Sequence, residues 1–319
     1  MDKTELTIVT AFFDCNRGNH ISQKRTNKDY IEYFRFWARL RNKVIIYTMP
    51  EFVDEIYKVR EDFGLADRTI IIEEADIWNV EKEILTQMQK IERDGFFEQW
   101  RYKTQDISNQ AKYSYIMLMK YWCLYDANNR KLIENNAVWL DFGWNHGGQV
   151  FNIAEEFDFL WKYEFQKDKI HLFAKYNPQN SRGIINLQLM TDCIMGCQFI
   201  CNKSMTEKLF LYVKEAMYSL LSLDCFDDDQ MLLLMAYKKH TADFNIHISD
   251  WFLPMKECGG EHLTVVENKS KKITVGTLIK SNGIRLLIKK LLLKICYKMN
   301  YECYDFIKRE KLIIDRERP

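Results

Sequence analysis

Long apolar runs are missing from this chain. No stretch of about 18 uncharged apolar residues occurs, so no membrane-spanning helix is expected. Glycine and proline are scarce, at 12 and 4 in 319 residues, which argues against long flexible linkers. Internal repeats and low-complexity segments are absent. So are the glycine-rich fingerprints of dinucleotide and P-loop sites, the Gly-x-Ser-x-Gly elbow and the His-Glu-x-x-His zinc helix. The commonest dehydrogenase, NTPase, esterase and zinc-protease classes fall away with them. Excess charge is lacking too. Lys and Arg number 46 against 45 Asp and Glu, a net charge of +1, and a general nucleic-acid binder is not expected.

The nine cysteines are odd in number and match no small disulfide scaffold. The opening Met1-Asp2-Lys3-Thr4-Glu5 is polar and runs straight into a short apolar strand, so no signal peptide is expected. Reduced thiols in a cytoplasmic protein follow as the reading. Cys193, Cys197 and Cys201 recur every fourth residue in an apolar run. Zinc pairs are usually spaced differently, and buried thiols in a strand are the expectation.

What is present is globular: 47% hydrophobic and 29% charged residues, with length enough for a large core. Leu6–Phe13, Lys43–Thr48 and Thr69–Ile72 read as β-branched strands. Asp29–Asn42 and residues 51–63 between them carry helical spacing. Strand–helix alternation predicts an α/β fold with a mostly parallel sheet flanked by helices. Helical patterns continue over 78–103 and 109–127. Strands are expected at 137–140, 170–175, 193–201 and around His247. Helices are expected at 205–222 and from Asp227-Asp228-Asp229 onward, where acidic residues suit a helix N-terminus. The expected organisation is a catalytic domain over 1–270 and a tail over 271–319. In the tail, Ile284, Leu287, Ile288, Leu291, Leu292 and Ile295 make an apolar stripe. Arg285, Lys289, Lys290, Lys294 and Lys298 make a basic one, a pattern suited to an anionic membrane surface.

Chemistry concentrates at few places. The run Ala137–Leu140 delivers Asp141-Phe142-Gly143 to the carboxyl end of a strand, where open α/β sheets bind ligands. A carboxylate there, followed by a residue without a side chain, can hold Mg²⁺ or Mn²⁺ against a diphosphate. Thr10, Ala11 and Phe12 end the first strand, where a nucleotide base or ribose lands. Arg17, Arg25 and Lys120 are candidate phosphate partners. Lys120 stands out because its helix is otherwise apolar and aromatic. Among Asp227, Asp228 and Asp229, one carboxylate can orient or deprotonate an acceptor hydroxyl. The three repel one another, so solvent, a cation or a helix N-terminus must compensate. His247 is a candidate second metal ligand, and His20 and His146 are expected in loops beside the site.

The segment Thr7–Asp14 with Arg17-Gly18, the segment Tyr30–Phe34 with Trp37-Ala38, Tyr47-Thr48, and Trp139–Gly143 together resemble the bacterial HtrL/YibB family over roughly residues 5–265. That family is similar to GT-A glycosyltransferases found with surface-polysaccharide and capsule genes. The resemblance implies a GT-A-type, Rossmann-like sheet, a nucleotide-sugar donor (UDP-linked by expectation), a divalent cation (Mn²⁺ or Mg²⁺), and a glycan or lipid-linked acceptor. The GT-A metal motif is Asp-x-Asp; here Gly143 replaces the second carboxylate. Under this reading Asp141 and His247 hold the metal. Thr10, Ala11, Phe12, Arg17, Arg25, Lys120, Phe142 and Gly143 line the donor. Asp228 or Asp229 serves the acceptor, as base in an inverting enzyme. A cytoplasmic hexosyltransferase, peripheral on the inner membrane face through its tail, is the full expectation; its oligomeric state is left open. The competing expectation is a GT-A-like protein that binds nucleotide or glycan without catalysis. A nucleotidyltransferase would carry a glycine-rich phosphate loop after the first strand, and the single Gly18 is a poor match.

Overall fold

The computed structural model describes residues 3–20 and 24–266. The expected amphipathic tail and the membrane contact read from it lie outside the described residues. Seven strands form one sheet: β1 (Thr7–Phe12), β2 (Val44–Thr48), β3 (Thr69–Glu73), β4 (Asn136–Leu140), β5 (Ile170–Ala174), β6 (Ile194–Asn202) and β7 (Phe244–Ile248). Their spatial order is β3-β2-β1-β4-β6-β5-β7. All neighbours pair in parallel except where β6 meets β4 and β5. The mostly parallel α/β sheet expected from the sequence is therefore present, with one reversed strand.

Both faces of the sheet are covered, which is why the strands read as continuous apolar runs. Side chains alternate between two cores, as strand geometry demands. Val9, Ile45, Tyr47, Ala137 and Trp139 face one layer, with helices Lys82–Asp94, Ala111–Asn129, Thr206–Leu221 and Asp229–Lys239. Ile8, Val44, Ile46, Val138 and Leu140 face the other, with helices Asn27–Trp37 and Val53–Glu61 and the aromatic loops after β4. Helix Asn27–Trp37 starts at a capping box, in which Thr26 and Asp29 each satisfy the other's backbone N–H. The helical region predicted over 78–103 is three helices, Ile77–Val80, Lys82–Asp94 and Phe96–Trp100. Gly183–Leu189 is a further helix, which the sequence reading left unassigned. No helix among the described residues is long and apolar enough to cross a membrane.

The order of the strands positions the site. From β1 the chain builds outward through β2 to β3, then returns to place β4 on the other side of β1. The β1/β4 boundary is thus the point where the winding direction reverses, and the loops leaving its two strands part to open a crevice.

Candidate functional site

A cleft of about 430 Å³ occupies that crevice. One wall is the chain leaving β1, from Ala11 to Cys15; another is Asp141 to Trp144, leaving β4. Because β6 runs backwards, its beginning reaches the same end of the sheet. The Asp141 N–H donates to Cys197 O at 2.9 Å. The N-terminus of helix Asp229–Lys239 closes the floor with Asp228, Asp229 and Gln230.

Packing fixes Asp141-Phe142-Gly143 rigidly. The Phe142 ring stacks between Phe12 and Phe34, at centroid distances of 4.8 and 4.5 Å. Its carbonyl accepts from Trp37 Nε1 at 3.2 Å. A Cβ on Gly143 would lie 2.8 Å from the Tyr30 ring, so close aromatic packing explains this glycine. Asp141 Oδ1 accepts from Trp139 Nε1 at 2.7 Å and sits 2.7 Å from Lys120 Nζ. Its side chain keeps 30% exposure towards solvent.

Lys120 is the centre of the floor. It projects from helix Ala111–Asn129 and is only 4% exposed. Its ammonium pairs with both Asp141 and Asp229 and donates to Gly196 O at 3.3 Å. These two carboxylates hold its pKa above the usual lysine range against the opposing effect of burial, so Lys120 is charged. Asp229 is correspondingly tied to Lys120. Asp228 caps helix Asp229–Lys239, accepting from the Gln230 N–H at 3.2 Å. Burial first, and then the neighbouring carboxylates, push Asp228 well above the ordinary aspartate value. Each member of the acidic triplet thus has its own partner. The third, Asp227, meets Arg101 at 2.6 Å in a pair almost fully buried.

Arg101 was missed by the sequence reading: it stands in an aromatic stretch, but with Lys103 two residues on it carries no distinguishing signal. It also donates to Asn109 Oδ1 at 2.9 Å and to Leu187 O at 3.3 Å. Arg101→Ala leaves the Asp227 carboxylate buried and uncompensated. A loss of about 3–5 kcal/mol of stability is expected, to be read as a lowered denaturant midpoint; an unchanged midpoint would show that the pair is not closed.

Arg17 and Arg25 both line the cleft. Arg17 Nη1 donates to the Tyr30 hydroxyl at 2.7 Å and its guanidinium lies 5.2 Å from the Tyr113 ring centre. Arg25 Nη1 is 3.0 Å from His146 Nε2, while His146 Nδ1 is 2.8 Å from Gln149 Oε1. Those partners suit a neutral imidazole that accepts at Nε2, and burial followed by the Arg25 charge lowers its pKa. Tyr113, Gln230, Trp251 and Phe252 also line the cleft without having been singled out from the sequence. Their distances along the chain hide the meeting.

A second pocket of about 220 Å³ adjoins the first, with Arg17, Tyr113, Asp228 and Gln230 lining both. Its remaining lining is mostly polar, including Lys103, Asn186, Thr191 and Asp192. Burial raises the Asp192 pKa.

Three expectations need correction. Thr10 is not at the cleft: it shares a strand face with Phe12 but lies two residues further from the strand end, fully buried, while Ala11 and Phe12 reach the rim. His20 is buried and likewise outside the cleft lining. His247 lies on β7, the edge strand, three places from β4, roughly 14 Å away at ordinary strand spacing. Its Nε2 is 3.0 Å from Nδ1 of His171 on β5. Burial lowers the pKa of both rings, that of His171 to about 4, so they pair as neutral groups.

A divalent ion shared by Asp141 and His247 therefore does not fit this arrangement. The histidine belongs to a separate contact, and Asp141 already faces an ammonium. Among the described residues no three metal-ligating side chains gather at one point. Cys193 and Cys201 lie in the helix-side core and Cys197 on the cleft, so these thiols do not assemble a site either.

The fold defines a doubly wound α/β protein with a cleft of aromatic and charged residues at the carboxyl ends of its central strands. The family described as bacterial protein of unknown function (HtrL_YibB) matches residues 4–256, and the chain belongs to that family. Protein HtrL of Escherichia coli (strain K12) is 26% identical over 269 residues, covering 78% of this chain and 91% of HtrL. Among solved structures, the apo form of mouse xyloside xylosyltransferase 1 is similar with a TM-score of 0.41 and 11% identity, over 76% of this chain and 85% of that one. This last likeness is distant, and nothing about the site is argued from it.

Proposed function

We propose that this protein is a glycosyltransferase that moves a sugar from a nucleoside diphosphate sugar, UDP-linked, to a hydroxyl of a glycan or lipid-linked oligosaccharide. The observation that carries the reading is a pair of joined pockets sharing one half-buried carboxylate, Asp228. The larger lies at the winding reversal, where α/β sheets take nucleotides. The partly exposed Met117 and Trp251 in the cleft lining offer apolar walls to the nucleoside. Arg17 and Arg25 supply positive charge for the diphosphate. The smaller, polar pocket takes the acceptor.

In the proposed reaction the acceptor hydroxyl oxygen attacks the anomeric carbon of the donor sugar. The bond from that carbon to the diphosphate oxygen breaks, and the leaving diphosphate keeps the electron pair. Asp228, which borders both pockets, receives the hydroxyl proton. That assignment describes an inverting enzyme. Asp229 is the weaker candidate base, because Lys120 holds its carboxylate. Arg17 and Arg25 stabilise charge developing on the leaving group, which speeds its departure when they are aimed at it beforehand.

The test is release of free nucleotide from a panel of nucleotide sugars by the full chain. One donor is expected to be hydrolysed slowly without acceptor. Failure of every donor, together with no thermal stabilisation by any nucleoside diphosphate, would overturn the reading.

A further inference from the structure

We propose that the Lys120 ammonium is the resident cation of this cleft, standing between the Asp141 and Asp229 carboxylates and keeping that pair from binding a divalent metal. The inference builds on the donor-site reading above, but its central measurement does not depend on any nucleotide.

The argument starts from coordination. An ammonium has three N–H donors. Lys120 meets three oxygen acceptors: Asp141 Oδ1, Asp229 Oδ2 and Gly196 O. The acceptors come from three separate elements, the end of β4, the start of helix Asp229–Lys239 and β6. Such convergence of two carboxylates and a carbonyl is the hard-oxygen environment that Mg²⁺ or Mn²⁺ also seeks. Here a side chain of the protein fills it.

The ammonium is not free to leave. Its helix, Ala111–Asn129, is wedged between the sheet and its neighbouring helices, and Tyr115, Leu118, Met119, Tyr121 and Leu124 around Lys120 are buried. Solvent has almost no access to the lysine itself. A metal bridging the two carboxylates would approach within a few ångströms of a fixed positive charge in a poorly solvated site, where like charges repel strongly. Asp229 is closed in as well. Its carboxylate lies directly over Gly196, where a Cβ would come within 2.1 Å of Asp229 Oδ2. The missing second carboxylate at Gly143 has a physical counterpart: the cation it would help to hold is already covalently part of the chain. Diphosphate charge then falls to Arg17 and Arg25.

Manganese titration followed by electron paramagnetic resonance tests this on the full chain. Wild type is expected to leave the free Mn²⁺ signal undiminished. Lys120→Ala exposes the paired carboxylates and is expected to take up one Mn²⁺ per chain, with affinity at least about tenfold above wild type. Adding Asp141→Asn to that variant should abolish the gain. Stoichiometric Mn²⁺ uptake by wild type that Asp141→Asn removes overturns the proposal. So does a folded Lys120→Ala protein that gains no Mn²⁺. Should Lys120→Ala not fold, Lys120→Gln serves in its place, and the wild-type titration stands by itself. Thermal melts with UDP separate the two ideas. Equal stabilisation in EDTA and in Mn²⁺ supports the resident cation, and stabilisation only in Mn²⁺ overturns it while leaving the donor reading intact. If UDP and other nucleoside diphosphates stabilise under neither condition, the donor reading fails and the Mn²⁺ titrations alone decide the fate of the resident cation.

Discussion

Gly196→Ala is expected to destabilise the protein by about 3 kcal/mol or more, because the new methyl must overlap a buried ion pair. The added Cβ would lie 2.1–2.5 Å from the Asp229 carboxylate atoms, closer than non-bonded atoms approach. Asp229 cannot simply rotate aside, since its other contact is Lys120, itself pinned by Asp141. Moving it breaks a desolvated charge contact; leaving it forces β6 away from the helix above. Either response loosens the junction of β6, β4 and helix Asp229–Lys239. A melting temperature roughly 5–10 °C below wild type is the expected reading. Gly18→Ala is the control. A Cβ there meets no atom closer than 3.8 Å, so a near-neutral result is expected. Equal stability of both variants would show that the Asp229 carboxylate does not sit over Gly196.

Asp141→Ala is expected to leave the fold largely intact and to remove turnover, by a factor of about 10² or more. The fold survives because Lys120 retains Asp229 and Gly196 O as partners. Activity falls because the ammonium and the Trp139 indole both lose their common anchor, Asp141 Oδ1. The floor of the cleft then shifts relative to the arginines. The measurement is nucleotide release from whichever donor the wild type hydrolyses, alongside a melting curve. Wild-type turnover in the alanine variant would reduce Asp141 to a strand-end turn residue, a role for which aspartate is common. Unfolding of the variant would place Asp141 in the structural frame, and Asp141→Asn, which keeps a hydrogen-bond acceptor for Trp139, would then carry the test.

Much of the architecture was legible in the sequence because its signals are local. Val44-Ile45-Ile46-Tyr47 is apolar on successive residues, which marks a strand covered on both faces. Helical spacing from Asp29 onward marked the first helix. The helix following Asp227–Asp229 is announced by acidic residues at its N-terminus. Asp141 at the end of an apolar strand and Lys120 in an apolar, aromatic helix both line the cleft.

Thr10 and His247 show where local reading stops. Thr10 lies on the same strand face as Phe12 but two residues deeper, and only the finished sheet says where the covered interior ends and the rim begins. His247 was read as a ligand by its order along the chain. Its place is set instead by β7 pairing with β5 at the far edge. Arg101 and Asp227 are 126 positions apart, and nothing in either neighbourhood names the other.

The sequence by itself determined the family, through the likeness of whole segments, and the α/β class, most of the strands and helices, and the residue types available for chemistry. The class and elements follow from periodicity within a few residues. Only the tertiary structure decided the reversal of β6, the two pockets that share Asp228, and the capture of Lys120 between Asp141 and Asp229. These depend on how a buried helix settles against the sheet, where burying a charge is tolerable only if its partners arrive from elsewhere in the chain.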